Sequence, residues 1–352
     1  MKIGFVTDSS GGKPPRRERY TGKNPRRFDQ KYKEHAAERY SEDVDKILSS
    51  GKTPAGSHRP IMVQEILDVL KPIAGEAAVD CTLGYGGHAS RLLAAIQPDG
   101  KLIALDADPL ELPKTEMRLR ASGCTPESLV AVRSNFVGLA HALATHAPDG
   151  VDMLLADLGL SSMQIDDPRR GFSYKHDGPL DMRMNPNKGL SAAEWIAKVA
   201  VHDLAQVLHE NADEPKAELL AKAILQSQLK AALTTTQGLA NTVRRAMQGS
   251  PEATVNVTLQ RVFQAIRIAV NDEFGSLDAL LRQLPTSMKS KGRIAILSFH
   301  SGEDRRVKAA FKQGLATGVF AQISEDVVRT SYAEQHSNPR SASAKLRWAI
   351  CS

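Results

Sequence analysis

Three aspartates and one glycine-rich turn are the parts of this chain best suited to chemistry. Asp80, Asp106 and Asp157 each follow a short apolar run, at residues 77–79, 102–105 and 151–156. Runs of that length and makeup read as buried strands. Each acid then sits at a strand's carboxyl end, where open α/β sheets bind ligands. Residues 80–88 read D-C-T-L-G-Y-G-G-H, and a helical run at 89–96 follows. Gly84, Gly86 and Gly87 let the backbone turn tightly and admit a ligand at close range. Asp106 lies about twenty residues on, where a carboxylate accepts hydrogen bonds from the ribose hydroxyls of a bound nucleoside. The plainer alternative is that each acid only caps the helix after it.

Two nucleoside cofactors fit this pattern, a nicotinamide dinucleotide and S-adenosylmethionine. The dinucleotide reading requires G-x-G-x-x-G and a helix N-terminus free to hold a pyrophosphate. The spacing here is G-x-G-G. S-adenosylmethionine has no phosphate, and its cationic end prefers carboxylates and carbonyls. Asp80 is expected near that end, which favours S-adenosylmethionine.

These residues need a sheet to position them, and the chain supplies one. Apolar runs at 77–79, 102–105, 129–133 and 151–156 alternate with helical runs at 89–96, 110–120 and 137–146. That alternation predicts a parallel sheet with helices on both faces. An amphipathic helix at 62–70 precedes it. A polar, Gly- and Pro-rich stretch at 158–186 breaks the pattern, and a structureless loop that long is commonly functional. Helical runs follow at 191–199, 202–211, 216–229 and 236–247, the first with a capping box of Ser191 and Glu194. Residues 257–284 read as one long helix or a pair. A strand at 293–297 and a final edge strand at 343–350 complete the chain. The predicted class is α/β: a Rossmann-like sheet domain over 58–162 and 256–352, with an all-helical domain inserted at 163–255.

Composition narrows the rest. The 352 residues are 41% hydrophobic and 24% charged, the makeup of a soluble globular protein. No apolar run approaches the ~20 residues of a membrane span. Residues 1–7 lack the apolar core of a secretory signal. The three cysteines, Cys81, Cys124 and Cys351, are far apart and odd in number. They suit a reducing cytoplasm and neither a disulfide framework nor a metal site. Residues 1–57 hold 13 of the 46 Lys and Arg but only 8 of the 40 Asp and Glu, leaving 33 against 32 in the other 295 residues. Arg16, Arg17, Arg19, Arg26 and Arg27 alternate there with Tyr20, Phe28 and Tyr32, and a short helix fits 29–48. A localised basic arm on a near-neutral body suits an anionic polymer, with a solvated tail as the alternative.

Taken in order, the motifs resemble one family. They are His58-Arg59-Pro60, D-C-T-L-G-Y-G-G-H, Asn135-Phe136, D-L-G-L-S-S-M-Q at 157–164, and R-G-F-S-Y-x-x-D-G-P-L-D-M-R-M at 170–184. A-A-E-W, F-Q-A-I-R-I, S-F-H-S and N-P-R-S-A-S-A-K-L-R follow, the last ending at Arg347. This series is similar to the MraW/RsmH family of S-adenosylmethionine-dependent 16S ribosomal RNA cytosine-N4 methyltransferases. The resemblance implies a class I methyltransferase sheet domain with an inserted helical domain. It implies cofactor contacts from Gly86, Gly87, His88, Asp106, Phe136, Asp157 and Gln164. Asp157 is the first candidate for orienting the cytosine amine. Arg170, Asp181, Arg183, Ser298 and His300 are candidates for meeting the substrate. The implied partner is 16S RNA or the small ribosomal subunit, in the cytoplasm, with no membrane and with a homodimer left open. A non-catalytic ribosomal RNA assembly factor that keeps the cofactor fold is the other reading. Two departures stand out. Val257-Thr258-Leu259-Gln260-Arg261 replaces the family's usual His-Pro-Ala-Thr-Arg, and Gly302 stands where Leu is usual. The arm at 1–57 is an addition to the common pattern.

Overall fold

A computed structural model describes residues 60–352. The basic arm and the helix expected at 29–48 lie outside the described residues. Helix α1 (Val63–Leu70) leads into strand β1 (Ala77–Asp80), α2 (Gly87–Ile96), β2 (Lys101–Asp106), α3 (Leu112–Ala121), β3 (Leu129–Arg133), α4 (Leu139–His146) and β4 (Val151–Asp157). These are the βα units that the apolar runs predicted. The sheet continues with β5 (Met288–Ser298), β6 (Phe320–Ile323) and β7 (Lys345–Cys351), in the order β3-β2-β1-β4-β5-β7-β6. Strands β1 to β5 run parallel, and β7 pairs antiparallel with both β5 and β6.

The expectation of a final edge strand is therefore corrected. The last strand inserts between β5 and β6, and β6 takes the edge. With neighbours on both sides, β7 buries Leu346, Arg347, Ala349 and Cys351. Strand β6 is four residues long with an exposed middle, too short for a period-2 signal.

Alternate residues of each strand enter opposite layers, as the pleat requires. Leu102, Ala104, Met153, Leu155, Ala295 and Leu297 pack on one face with α1, α2 and α3. Ile103, Leu105, Leu154, Ile294 and Ile296 pack on the other with α4 and two later helices, α11 and α12. This is a three-layer sandwich with a core on each side of the sheet.

The stretch 158–186 is more ordered than its composition suggests. It holds a short helix, α5 (Ser162–Asp166), entered through a capping box of Ser161 and Gln164. Then come α6 (Ala192–Ile196), α7 (Val201–Ala212), α8 (Ala217–Lys230) and α9 (Thr236–Ala246). Ser191 and Glu194 form their capping box. The 257–284 region is a pair, α10 (Glu252–Asn271) and α11 (Glu273–Ser287), broken at Asp272 in the left-handed region with φ 47°. A third hydrophobic cluster runs from Phe172 to Ile266, so most of α10 packs with the helical unit and not with the sheet. Helix α12 (Ser301–Ala316) and a short helix, α13 (Tyr332–Ser337), complete the fold.

Candidate active site

A cavity of about 1320 Å³ opens at the carboxyl ends of β1 to β5. Its floor is the turn after each of these strands. Its far wall comes from Met184, Asn185, Lys188 and Gly189 of the inserted region and from α10 and the start of α11. A crevice at this end of the sheet is where the topology places ligands.

The glycine turn is tied to the acid on the next strand. Gly84 donates its backbone N–H to Asp106 Oδ2 at 2.7 Å, and Asp108 donates its own to Oδ1 at 2.7 Å. Burial pushes the Asp106 carboxyl up to about 6, against the pull of these two donors. Gly86 has φ +72°, and a Cβ there would meet Thr115 Cγ2 at 2.9 Å. Its glycine is therefore required by the turn and by close packing of α3. It does not reach the cavity wall, whereas Gly87 and His88 do. Phe136 also lines the wall, from a 3-10 turn at Phe136–Gly138.

Asp157 leaves β4 with its backbone N–H donated to Thr82 Oγ1 at 2.6 Å. Its Oδ2 lies 3.6 Å from His88 Nε2. Asp157 Oδ1 and His88 Nε2 are both buried and without a hydrogen-bond partner. Two unsatisfied polar atoms at a cavity wall are a costly arrangement unless a ligand completes them. Asp80, by contrast, is 1% exposed and caps Thr82 N at 3.0 Å. It lies below the wall, so it supports the turn instead of meeting a ligand; burial pushes its carboxyl up to about 6.

The candidates taken from the loops divide. His300 is on the wall, with Nε2 3.1 Å from Glu303 Oε1. Burial acts to raise the Glu303 carboxyl, but the His300 ring, the Phe299 N–H and the Arg267 guanidinium together outweigh it and hold the acid below its usual range. Ser298 is corrected: it is buried, donates to Lys345 O at 3.3 Å, and does not line the cavity. Its position in β5 turns the hydroxyl toward β7. Asp181 and Arg183 pair with each other, Nε to Oδ1 at 2.7 Å and Nη2 to Oδ2 at 2.7 Å. With Arg170 they lie behind the wall and frame residues 184–189, which form it.

The sequence reading passed over Asp108, which joins these parts. It is 1% exposed. Its Oδ2 accepts from Gln164 Nε2 at 2.8 Å and from Arg170 Nη1 at 2.8 Å. Arg170 Nη2 in turn donates to the carbonyls of Arg183 and Met184, at 3.2 and 2.8 Å. The D-A-D spacing of Asp106 and Asp108 was the available signal: two carboxylates two residues apart, past the end of a strand.

Gly302 has a structural reason. A Cβ there would meet Phe274 Cζ at 2.5 Å. Phe274 is fixed by the Arg306 guanidinium, 3.8 Å from the ring centroid, and by the His300 ring at 5.7 Å. Restoring the family's usual residue with Gly302→Leu is expected to cost about 1–3 kcal/mol of stability through overpacking. Urea unfolding of the two proteins checks this. Equal midpoints would mean that Phe274 has room to move.

The sheet order with its antiparallel seventh strand, and the strand-end cavity with an acid at the second strand, define a class I methyltransferase. The chain belongs to the MraW methylase family, whose model matches residues 55–351. It is similar to ribosomal RNA small subunit methyltransferase H 1 of Lachnoclostridium phytofermentans, 44% identical over 95% of this chain and 92% of that one. It is also similar to ribosomal RNA small subunit methyltransferase H 2 of Alkaliphilus metalliredigens, 44% identical over 97% of this chain and 99% of that one. The corresponding protein of Acidobacterium capsulatum, named without a number, is 37% identical over 83% of this chain and 97% of its own. The Alkaliphilus match thus reaches into the basic arm.

The cofactor of this class is S-adenosylmethionine, and the residues present fit it. Gly84 and Gly87 line the cavity with Asp106 at the end of β2, and the unpartnered Asp157 Oδ1 and His88 Nε2 offer polar contacts to a bound group. A pH dependence follows. With the ribose on Asp106, as the family resemblance implies, its hydroxyls would donate to the ionised acid and binding would favour the deprotonated form. The folded acid titrates near 6 and the unfolded one near the ordinary carboxyl value of 3.8. Between those values the free folded protein holds the extra proton, and its stability declines as pH rises. Cofactor affinity moves the other way and is expected to be about tenfold weaker at pH 5 than at pH 7.5. Calorimetric titration at the two values measures it, and equal affinities would place the ribose elsewhere.

Proposed function

We propose that this protein transfers a methyl group from S-adenosylmethionine to the N4 amine of a cytosine in the decoding region of 16S ribosomal RNA. The observation that carries this reading is the unpartnered Asp157 Oδ1 beside His88 at the strand-end cavity. S-adenosylmethionine, when bound, supplies an electrophilic methyl on its sulfonium sulfur. The exocyclic amine is a poor nucleophile because its lone pair is delocalised into the ring. Asp157 Oδ1 accepts a hydrogen bond from the amine, which orients it and localises electron density on nitrogen. Alignment alone contributes several kcal/mol, up to roughly 7–11 in the best-oriented cases. His88 Nε2, 3.6 Å from the other carboxylate oxygen, Asp157 Oδ2, is next in line for the proton the amine loses.

The cavity exceeds the roughly 300–1,000 Å³ of a typical small-molecule site, which leaves room for a nucleotide beside the cofactor. The cytosine must be unpaired or extruded to enter. The inserted helices at 163–255, with α10 packed on them, shape the RNA-facing wall. The partner is the small ribosomal subunit or its RNA, which places the protein in the cytoplasm. No described helix is long and apolar enough to cross a membrane.

The test is methyl transfer to small subunits purified from cells that lack the enzyme, with the RNA digested to nucleosides. N4-methylcytidine as the product supports the reading. Subunit binding without any product favours the assembly factor.

A further inference from the structure

The rim of the cavity carries an aromatic surface that neither the catalytic reading nor the cofactor uses. Tyr332 opens α13 and is 85% exposed. His336 lies one turn on, its ring 6.4 Å from that of Tyr332 and inclined by only 19°. Exposing a tyrosine this fully forgoes the burial that aromatic rings ordinarily gain.

Two contacts hold α13 beside the cavity. Glu334 Oε1 accepts from the backbone N–H of Met62 at 3.0 Å, next to the wall residues Pro60 and Ile61. The strap after α13, Pro339–Ser343, forms wall itself. Within the strap, Arg340 Nη2 is paired to Asp166 Oδ1 at 2.7 Å, while Nη1 is buried and has no partner. A guanidinium with one free edge at a cavity wall suits an anionic oxygen. The basic arm joins the described chain at Pro60, on this same rim.

We propose that α13 and its strap form a track for single-stranded RNA, on which Tyr332 and His336 stack a base flanking the target cytosine and Arg340 holds a backbone phosphate. Aromatic stacking is sequence-tolerant, and a guanidinium reads charge, so together they fix the strand while the cavity selects the base. The charge supports RNA over a protein partner: one edge of the Arg340 guanidinium at the cavity wall has no protein partner. The proposal rests on the RNA methyltransferase reading, and its test separates the two.

The full-length protein is assayed on small subunits from cells lacking the enzyme, with calorimetric S-adenosylmethionine binding in parallel. Tyr332→Ala is expected to raise KM for the subunit about tenfold with kcat nearly unchanged, and Tyr332→Phe to restore it. Cofactor affinity should stay at the wild-type value, since Tyr332 is exposed and outside the cavity. Arg340→Gln should reduce the salt slope of RNA binding by about 0.7, the equivalent of one phosphate. An unchanged KM in Tyr332→Ala, with the wild type active, overturns the track and leaves the enzyme reading intact. A wild type that binds cofactor but methylates no subunit overturns the reading on which the track rests.

Discussion

Asp157→Asn is expected to slow methyl transfer by about 10²–10³-fold while the protein stays folded. The size follows from the job assigned to the side chain. A positioned group that assists proton movement at the reacting atom typically contributes roughly 10²–10⁴-fold. Asparagine keeps the shape and can still accept through its carbonyl, but it carries no charge to stabilise positive charge on nitrogen. The Asp157 backbone N–H still bonds Thr82, so the turn survives. Single-turnover kinetics with cofactor saturating isolates the effect. If the rate constant is unchanged and only cofactor affinity falls, Asp157 serves the cofactor and the amine is oriented elsewhere.

The second large effect concerns stability. Arg170→Met removes one partner of a buried ion pair and leaves the Asp108 carboxylate, 1% exposed, without its cation. Breaking such a pair costs about 3–5 kcal/mol, because the remaining charge stays out of water. The same change frees the carbonyls of Arg183 and Met184, so the wall at 184–189 loosens. The double variant with Asp108→Asn should recover a sizeable part of the loss, since no naked charge is left. Denaturant unfolding of the wild type, the two single variants and the double variant reads this as a cycle. Additive losses would show that the pair is not coupled.

How far the sequence disclosed this molecule depends on the kind of signal. The βα units were legible because parallel strands are buried on both faces and read as short apolar runs between helical ones. Gly84, Gly87, Asp106 and Asp157 were picked out by their places at strand ends, and all four line the cavity. Gly86 shows the limit of that inference: its φ of +72° and the approach of Thr115 explain it without a ligand. Side-chain direction was not legible. Ser298 shares a motif with His300, yet one turns into the sheet and the other lines the cavity. Asp108 escaped because its partners, Gln164 and Arg170, are 56 and 62 residues away in sequence. Strand β6 was missed because four residues carry too little period, and β7 was misplaced because strand order is set by pairing that no local pattern encodes.

The central claim is that this chain places an N4-methyl group on a cytosine of 16S RNA. Mass spectrometry of 16S nucleosides from a strain lacking the protein, and any second copy of the family, tests it most directly. N4-methylcytidine is expected to disappear, the wild-type chain to restore it, and Asp157→Ala to fail to restore it although it is folded. An undiminished N4-methylcytidine signal in the deleted strain would contradict the assignment.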